Sequence, residues 1–321
     1  MTCSEDPLDC LVIGAGPAGL VAALYLARFR RRFAVVDAHD SRAAWIPSSH
    51  NIPFFEHGIP GRELLARQRA NVERYGTEVV TGTVAQLERR EGRFVAEIRR
   101  NDGGRPRIEA RRVLLATGSV AIEPDLPDVP DAVRRGLVRY CPICDGYEAR
   151  GRSVAVIGHG DHGLGEAVFI ARTYSCDVTL LTLGQAMSLN AEQREQAGSR
   201  GIKLIEQPVQ ALQVEGDKIA ALRAGGEEYR FDVLYSALGL RYRSELAAAL
   251  DAGHDPSGAL CVDEHKQTTV PGLYATGDVA RGLDQISVAL GHAAVAATHI
   301  HNHCELPTEA EPGSANRIQS G

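Results

Sequence analysis

This sequence lacks an excess of positive charge. Its 321 residues carry 35 Lys and Arg against 41 Asp and Glu, and the net charge is −6. Because nucleic-acid binding calls for a basic face, we predict no nucleic-acid partner.

The sequence also has no uninterrupted hydrophobic run long enough to cross a membrane. Residues 1–9 are acidic rather than basic, and the apolar run at 11–26 is broken by three glycines and a proline. This pattern fits neither a signal peptide nor a membrane span. We therefore expect no membrane association and a cytoplasmic location.

A second cysteine motif is missing as well. The seven cysteines are odd in number, and only Cys141 and Cys144 lie close in sequence, unlike a secreted disulfide framework. A zinc site needs four ligands, and neither another C-x-x-C nor a C-x-x-H is present. The eleven histidines show no spacing that indicates a metal site. We expect no metal and interpret the pair as a redox disulfide, with two inert core thiols as the alternative.

The chain is long enough for two domains, and its first sixty residues begin with a nucleotide-binding pattern. An apolar strand at 10–13 leads into G-x-G-x-x-G at 14–19, a helical segment at 20–30, a second strand at 33–36 and then Asp37. The three glycines permit a tight turn, backbone approach to a pyrophosphate and close packing of helix on strand. The pattern predicts dinucleotide binding, against a glycine-rich turn without a ligand.

Weaker patterns fill the region up to the cysteine pair. Residues 41–62 are rich in Pro, Ser and His and predict a loop, in which Trp45 or His50 either covers a cofactor ring or lies on the surface. The other predicted elements are a helix at 61–75, strands at 79–84, 94–98, 108–112 and 113–119, a hairpin turn at 101–104 and an interdomain connection at Pro124, Pro127 and Pro130.

Cys141 and Cys144 are separated by two residues and followed by Asp145. Disulfide exchange needs one thiolate to attack a sulfur and a second thiol to resolve the mixed disulfide. Pro142 restricts the loop between the two cysteines, and a carboxylate beside them can shuttle the proton released when a thiolate forms. The motif therefore predicts a disulfide-exchange centre.

A second nucleotide pattern follows this motif. A strand at 153–157 precedes G-x-G-x-x-G at 158–163, a helix at 164–173 and a strand at 178–181, but residues 182–185 contain neither an acid nor an arginine. An acid there is typical of NAD sites and an arginine of NADP sites. Either the unit binds a nicotinamide dinucleotide, or it remains as a scaffold. The candidate residues are Gly158, Gly160, Asp161 and Gly163.

The C-terminal part predicts two further strands, at 232–239 and 273–280, and a long helix at 285–300 whose N-terminus points to the first nucleotide loop. The tail at 305–321 is polar and is expected to be flexible.

Five motifs in this order make the sequence resemble the low-molecular-weight thioredoxin reductase family. They are GAGPAG at 14–19, ATGS at 116–119, CPICDG at 141–146, GHGDHG at 158–163 and ATGD at 275–278. The resemblance implies an α/β fold with two Rossmann-like three-layer domains, the second inserted into a discontinuous FAD domain. The FAD domain would comprise 1–120 and 251–304, and the NAD(P)-binding-like domain with the cysteine pair would comprise 121–250. A homodimer is also implied.

The resemblance also implies roles for single residues. Cys144 would face the flavin, Cys141 would exchange with substrate, and Asp145 would donate and accept the proton. Asp37 would bind the adenosine ribose of FAD, and Asp278 the ribityl or phosphate region. The full set of implied FAD-site residues is Gly14, Gly16, Pro17, Ala18, Gly19, Asp37, Asn51, Thr117, Gly118, Gly277, Asp278, Gln285 and Ile286.

The sequence departs from the family pattern at 182–184, at 41–45 and at 284–286, where the usual arginine-bearing, GGQ-type and Arg-Gln-Ala stretches are replaced. The resemblance predicts an FAD-dependent disulfide reductase fed by NADPH or NADH and acting on a thioredoxin-like protein or a small disulfide. Two alternatives remain. The first is an FAD dithiol oxidase that uses oxygen, or a reductase fed by another electron donor. The second is a non-enzymatic flavin or redox sensor. The oxidases generally carry His-Gly after the pair, whereas Asp145-Gly146 favours the reductase.

Overall fold

The structure is a computed structural model that describes residues 7–125, 132–133, 135–174, 176–215 and 218–304. Pro127, Pro130 and the predicted tail lie outside the described residues. The strands, in chain order, are Cys10–Ile13 (β1), Phe33–Asp37 (β2), Val79–Thr81 (β3), Thr83–Arg90 (β4), Arg93–Arg99 (β5), Arg107–Ala110 (β6), Val113–Leu115 (β7), Ser119–Ala121 (β8), Val138–Arg139 (β9), Ser153–Ile157 (β10), Asp177–Leu181 (β11), Lys203–Ile205 (β12), Val209–Glu215 (β13), Lys218–Ala224 (β14), Glu227–Phe231 (β15), Val233–Ser236 (β16), Leu240–Tyr242 (β17) and Leu273–Ala275 (β18).

The α-helices are Pro17–Arg28 (α1), Gly61–Glu73 (α2), Pro142–Asp145 (α3), Gly160–Tyr174 (α4), Ala191–Gly198 (α5), Glu245–Ala248 (α6) and Ile286–Asn302 (α7). Short 3₁₀ helices cover Arg42–Trp45, Tyr147–Ala149 and Gly277–Val279. None of the described helices combines the length and apolarity that crossing a membrane requires.

The chain forms two compact units. The first unit takes the chain up to Ala44, Gly61–Val120 and the chain from Arg241, and the second takes Trp45–Pro60 and Ala121–Leu240. Each contains a parallel sheet, so the predicted α/β class with two Rossmann-like units is confirmed. The units differ from the predicted domain ranges in two places: residues 45–60 group with the second unit, and residues 241–250 group with the first.

The first unit is built on a five-stranded parallel sheet in the order β18-β7-β1-β2-β3. The two faces of β1 show why the layers form. Leu11 and Ile13 pack toward the core shared with β4–β6, whereas Val12 packs toward the core shared with α1 and α7. Because successive side chains of a strand point to opposite faces, an all-apolar strand can serve two cores.

Helices α1 and α7 cover one face of this sheet with small residues. Ala22 and Ala23 of α1 and Ala293 and Ala297 of α7 are buried in the same cluster. Helix α1 begins at Pro17 rather than at residue 20, because proline has the dihedral angle that suits a first helical position and lacks only an N–H that would be unpaired there.

The second unit repeats this plan with a parallel sheet in the order β12-β11-β10-β16-β9. Val154 and Val156 of β10 face the cluster that contains Leu164 and Ile170 of α4. Ala155 and Ile157 face the opposite cluster, where Phe231 of the antiparallel β13-β14-β15 sheet is buried. Helix α4 begins at Gly160 rather than at residue 164, so its first turn includes the glycine-rich loop.

One predicted strand, at 79–84, proved to be two. Gly82 separates β3 from β4, and its N–H donates to the carbonyl of Asp37. A Cβ at this position would lie 2.7 Å from Cγ2 of Ile98, which is closer than van der Waals contact allows. The chain therefore changes sheets at a residue without a side chain.

Candidate functional site

The first glycine-rich loop has no room for a side chain at Gly14 or Gly19. A Cβ on Gly19 would lie 1.8 Å from the carbonyl oxygen of Gly14. A Cβ on Gly14, whose φ is +99°, would lie 2.4 Å from the carbonyl oxygen of Ala116. The loop thus brings the ends of β1 and β7 against the start of α1, with Gly16 as the residue that precedes the helix.

Asp37 holds this loop from the end of β2. Its Oδ1 accepts a hydrogen bond from the backbone N–H of Ala15 at 3.0 Å. Its Oδ2 lies 3.3 Å from Nη2 of Arg69 and 3.5 Å from Nδ1 of His39. Asp37 as a whole residue is 7% exposed. Its carboxylate is therefore a fixed group at the position where a dinucleotide fold presents an acid to a ribose.

A cluster of three polar side chains lies near the ends of β7 and β18. Arg42 Nη1 donates to Ser119 Oγ at 3.3 Å, and Ser119 Oγ donates to Asp278 Oδ2 at 3.3 Å. Arg42 Nη2 is also 3.6 Å from Asp278 Oδ2. Sequence reasoning named Asp278 but missed Arg42 and Ser119. The ATGS motif at 116–119 contained the only signal for Ser119.

The start of α7 lies beside α1. A Cβ on Gly277 would lie 3.1 Å from Cβ of Ala18 and 3.9 Å from Cβ of Ala289. Gln285 precedes the first residue of α7, Ile286. The predicted approach of this helix to the first glycine-rich loop is therefore present in the structure.

Most of the predicted FAD-site residues come together in the first unit. Pro17 and Ala18 open α1, and Gly118, with a φ of +71°, follows Thr117, whose Oγ1 donates to the carbonyl of Arg243 at 2.7 Å. Asn51 groups instead with the second unit, where Ser49 Oγ donates to its Oδ1 at 3.1 Å. The glycine cradle and the fixed acid fit the diphosphate and ribose of a dinucleotide.

The cysteine motif forms a closed disulfide in the second unit. Cys141 precedes α3 and Cys144 lies within it, and the two Cα atoms are 5.3 Å apart. Gly146 ends this short helix. A Cβ there would lie 2.2 Å from the ring of Tyr174, whose hydroxyl donates to the carbonyl of Pro142 at 2.9 Å. Because Gly146 has no side chain, the Tyr174 ring can pack against α3 and hold this helix, which carries Cys144, by the hydrogen bond to Pro142.

Asp145 is held by two residues that the sequence did not single out. The hydroxyl of Tyr235, on β16, donates to Asp145 Oδ1 at 2.8 Å. Arg139, on β9, donates from Nη1 to the Asp145 carbonyl at 2.8 Å, and its Nε lies 3.8 Å from Asp145 Oδ2. Tyr235 is fully buried, so its apolar ring belongs to the core while its hydroxyl reaches the carboxyl group.

The surroundings of Asp145 make it a weak acid. Burial raises the pKa of Asp145 to about 6, against the lowering effects of the Arg139 guanidinium and the Tyr235 hydroxyl. Glu148 raises and His50 lowers the same pKa by smaller amounts. A carboxyl group with this pKa can both accept and donate a proton near neutral pH.

Two further carboxyl groups lie near Asp145. Burial, followed by the charge of Asp145, raises the pKa of Glu166 on α4 to about 7. Within the described part of the chain, Oε1 of Glu166 and Oε2 of Glu148 are buried without a hydrogen-bond partner. Two carboxyl groups with raised pKa values, Asp145 and Glu166, therefore lie in the region that carries the disulfide.

The second glycine-rich loop has the close packing of a Rossmann turn. A Cβ on Gly163 would lie 2.5 Å from the carbonyl carbon of Gly158. The N–H of Gly160, however, donates to Sδ of Met187 at 3.0 Å, and Oδ1 of Asp161 accepts from Nε2 of Gln193 at 2.7 Å. The loop therefore has the shape of a dinucleotide loop, while its Gly160 and Asp161 are bonded to other residues of the chain.

Over the described residues, no group of three or more His, Cys, Asp or Glu side chains is arranged to hold a metal ion.

Known proteins are similar to this chain over most of its length. A family model described as pyridine nucleotide-disulphide oxidoreductase matches residues 8–293. The thioredoxin reductase of Streptomyces coelicolor is 31% identical over 288 residues, which cover 86% of this chain and 87% of the relative. The thioredoxin reductase of Eremothecium gossypii is 32% identical over 286 residues, which cover 84% and 88%.

Solved structures agree with these relatives. The thioredoxin reductase of Streptococcus pyogenes superposes with a TM-score of 0.84 at 25% identity, covering 93% of this chain and 98% of the other. The crystal structure of HlmI superposes with a TM-score of 0.82 at 29% identity, covering 94% and 93%.

Proposed function

Because the chain belongs to the pyridine nucleotide-disulphide oxidoreductase family, we propose that it exchanges electrons between FAD and a substrate disulfide through Cys141 and Cys144. The chain is a thioredoxin reductase-like FAD oxidoreductase. The observation that carries the proposal is the closed Cys141–Cys144 disulfide beside a buried carboxyl group with a pKa of about 6.

FAD, when bound, supplies the two-electron oxidation and reduction that protein side chains lack. We assign its pyrophosphate to the loop of Gly14, Gly16 and Gly19, where a Cβ on Gly14 or Gly19 would collide with backbone, and its adenosine ribose to Asp37. We assign its ribityl or phosphate region to Asp278, which Arg42 pairs with.

In the reducing direction, the exchange starts from the Cys141–Cys144 dithiol, which reduced FAD would generate from the closed disulfide. The Cys141 thiolate attacks a substrate sulfur, so a mixed disulfide forms and one substrate thiol leaves. Cys144 then attacks the Cys141 sulfur, the pair closes again, and the second substrate thiol leaves. Two electrons and two protons pass from the dithiol to the substrate, because the Asp145 carboxylate accepts the proton that the attacking thiol releases and donates it to the leaving substrate sulfur.

We propose a thioredoxin-like protein or a small disulfide as the substrate. Ile143, between the two cysteines, is 48% exposed, and Tyr147, just after them, is 64% exposed. Exposed apolar side chains beside a reactive centre offer contact area to a partner. Assembly as a homodimer remains part of the proposal, and sedimentation of the purified protein measures it.

The test starts from FAD-loaded protein whose flavin is photoreduced without oxygen. Mixing with oxidised thioredoxin, or with a small aromatic disulfide, is expected to restore the flavin band and to release two thiols per flavin. If the flavin stays reduced with both substrates while dithiols drive oxygen uptake, the protein is a dithiol oxidase instead.

The pH dependence of this reaction is expected to change in Tyr235→Phe. The wild-type rate should rise with pH through about 6, because ionised Asp145 is the base and its pKa is about 6. Loss of the Tyr235 hydroxyl removes a hydrogen bond to the ionised form, which raises the pKa of Asp145. The acid side of the pH–rate profile should therefore shift to higher pH by about one unit, because a hydrogen bond to a charged group contributes about 1.5–3 kcal/mol.

Stopped-flow rates between pH 5 and pH 9, which span this pKa, measure the effect, and Asp145→Asn is the matched control. That variant cannot ionise at this position, so the pH dependence on the acid side should disappear. An unchanged acid side in Tyr235→Phe would show that the hydroxyl does not act on Asp145, and a wild-type profile in Asp145→Asn would remove Asp145 from the mechanism.

A further inference from the structure

We propose that the second glycine-rich loop, residues 158–163, is closed by the chain's own residues 182–193 and does not bind a nicotinamide dinucleotide. This inference deepens the proposed function, because it concerns where the flavin obtains its electrons. The closure of the loop is argued independently, and only the conclusion about the electron source rests on the proposed function.

The first observation is the hydrogen bond at Gly160. Helix α4 begins at this residue, and its N–H donates to Sδ of Met187 at 3.0 Å. The N–H groups in the first turn of a helix lack partners within the helix, and dinucleotide phosphates bind there in Rossmann units. Met187 therefore occupies a donor that a pyrophosphate would need.

Met187 is held in place by contacts of its side chain and of its backbone. Its side chain packs against the cluster that contains Leu164 and Ile170 of α4. Its N–H donates to Oε1 of Glu206, just after β12, at 2.5 Å. Displacing Met187 would give up apolar contact and a charge-assisted hydrogen bond together.

Hydrogen bonds also fix both ends of the segment 182–193. Before Met187, the N–H of Gln185 donates to the carbonyl of Thr182 at 3.1 Å, and Leu183 and Gly184 both have positive φ. A tight turn of this kind sets the direction in which the chain leaves β11.

After Met187, Asn190 and Gln193 form a capping box at the start of α5. Nε2 of Gln193 then donates to Oδ1 of Asp161 in the glycine-rich loop at 2.7 Å. The segment is thus bound to the loop at two points, Gly160 and Asp161.

The charges oppose a dinucleotide as well. Residues 182–193 contain no Lys or Arg, the loop itself carries the acid Asp161, and the acid Glu206 accepts a hydrogen bond from the Met187 N–H. The position after β11 that holds an acid in NAD sites is Thr182, whose Oγ1 donates to the carbonyl of Gln185. Thr182 therefore offers no carboxylate to a ribose and no positive charge to a phosphate.

It follows that the flavin exchanges electrons with a redox partner other than a nicotinamide dinucleotide bound at this loop. The second Rossmann unit then serves as the scaffold that holds the Cys141–Cys144 disulfide and Asp145.

Calorimetric titration of the FAD-loaded protein with NADH, NADPH and ADP-ribose tests the inference directly. The wild type is expected to show no saturable binding up to about 1 mM, the upper end of ordinary KM values. Met187→Ala frees the Gly160 N–H and should bind ADP-ribose at least about tenfold more tightly than the wild type, as one hydrogen bond to a charged group predicts.

Leu189→Ala is the matched control, because Leu189 packs on the same cluster but belongs to no hydrogen bond with the loop; it should behave like the wild type. Saturable binding of NADH or NADPH to the wild type would overturn the inference, and so would equal affinities in Met187→Ala and Leu189→Ala. The photoreduced-flavin assay is independent of these titrations, so failure of the proposed function would be seen separately.

Discussion

Cys144→Ser is expected to lower the rate of disulfide reduction by roughly 10³-fold or more, as the loss of a nucleophile does in other enzymes. A serine hydroxyl does not form a disulfide with Cys141 and is not ionised near neutral pH. The mixed disulfide between Cys141 and substrate would then remain unresolved. FAD binding should be retained, because Cys144 lies in the second unit and the FAD-site residues assigned above lie in the first.

The measurement is the reoxidation of photoreduced flavin by oxidised thioredoxin, with Cys261→Ser as the control. Cys261 is a half-buried thiol outside any disulfide, so its replacement should leave the rate within twofold of the wild type, an energy of less than about 0.5 kcal/mol. Mass spectrometry of Cys144→Ser should detect a covalent adduct on Cys141. Turnover of Cys144→Ser at the wild-type rate would show that the pair is structural.

Gly19→Ala is expected to abolish FAD binding. The new methyl group would lie 1.8 Å from the carbonyl oxygen of Gly14 and 3.3 Å from Cβ of Ala116. The clash is with backbone, so helix α1 must move away from β1 and β7. Overpacking of this kind costs about 1–3 kcal/mol, and the displaced loop no longer presents its N–H groups to a pyrophosphate.

Gly291→Ala is a suitable control because Gly291 also lies in a helix of the first unit, and a Cβ there meets nothing within 4 Å. That variant should be more stable than the wild type by about 0.5–1 kcal/mol, since alanine favours helix. Flavin absorbance per protein and the thermal unfolding midpoint measure both effects. A yellow Gly19→Ala protein with an unchanged midpoint would contradict the close packing.

Local sequence patterns predicted the parallel strands well, because a strand that serves two cores is apolar throughout. The predicted strand at 153–157 coincides with β10, and the predicted turn at 101–104 closes the hairpin of β5 and β6. The starts of α1 and α4 were predicted too late. Glycine and proline normally mark turns, and here Pro17 and Gly160 belong to the first turns of α1 and α4.

The candidate sites were predictable only where one segment carries the signal. The glycine loops, Asp37 and the C-x-x-C-D-G motif each show their chemistry within a short stretch. Arg42, Ser119 and Asp278 meet only because β7 and β18 are neighbours in the sheet, and no local pattern shows which sheet neighbours will form.

By itself, the sequence determined the family, the two nucleotide-type loops and the redox pair, because each depends on residues whose spacing along the chain fixes their geometry. The tertiary structure decided which groups surround Asp145 and which groups contact the second glycine-rich loop. Tyr235 reaches Asp145 from 90 residues away, and Met187 reaches Gly160 from 27 residues away. Contacts at such separations depend on how β16 and β11 pack beside β10, and burial at those positions, rather than residue type, sets the pKa of Asp145.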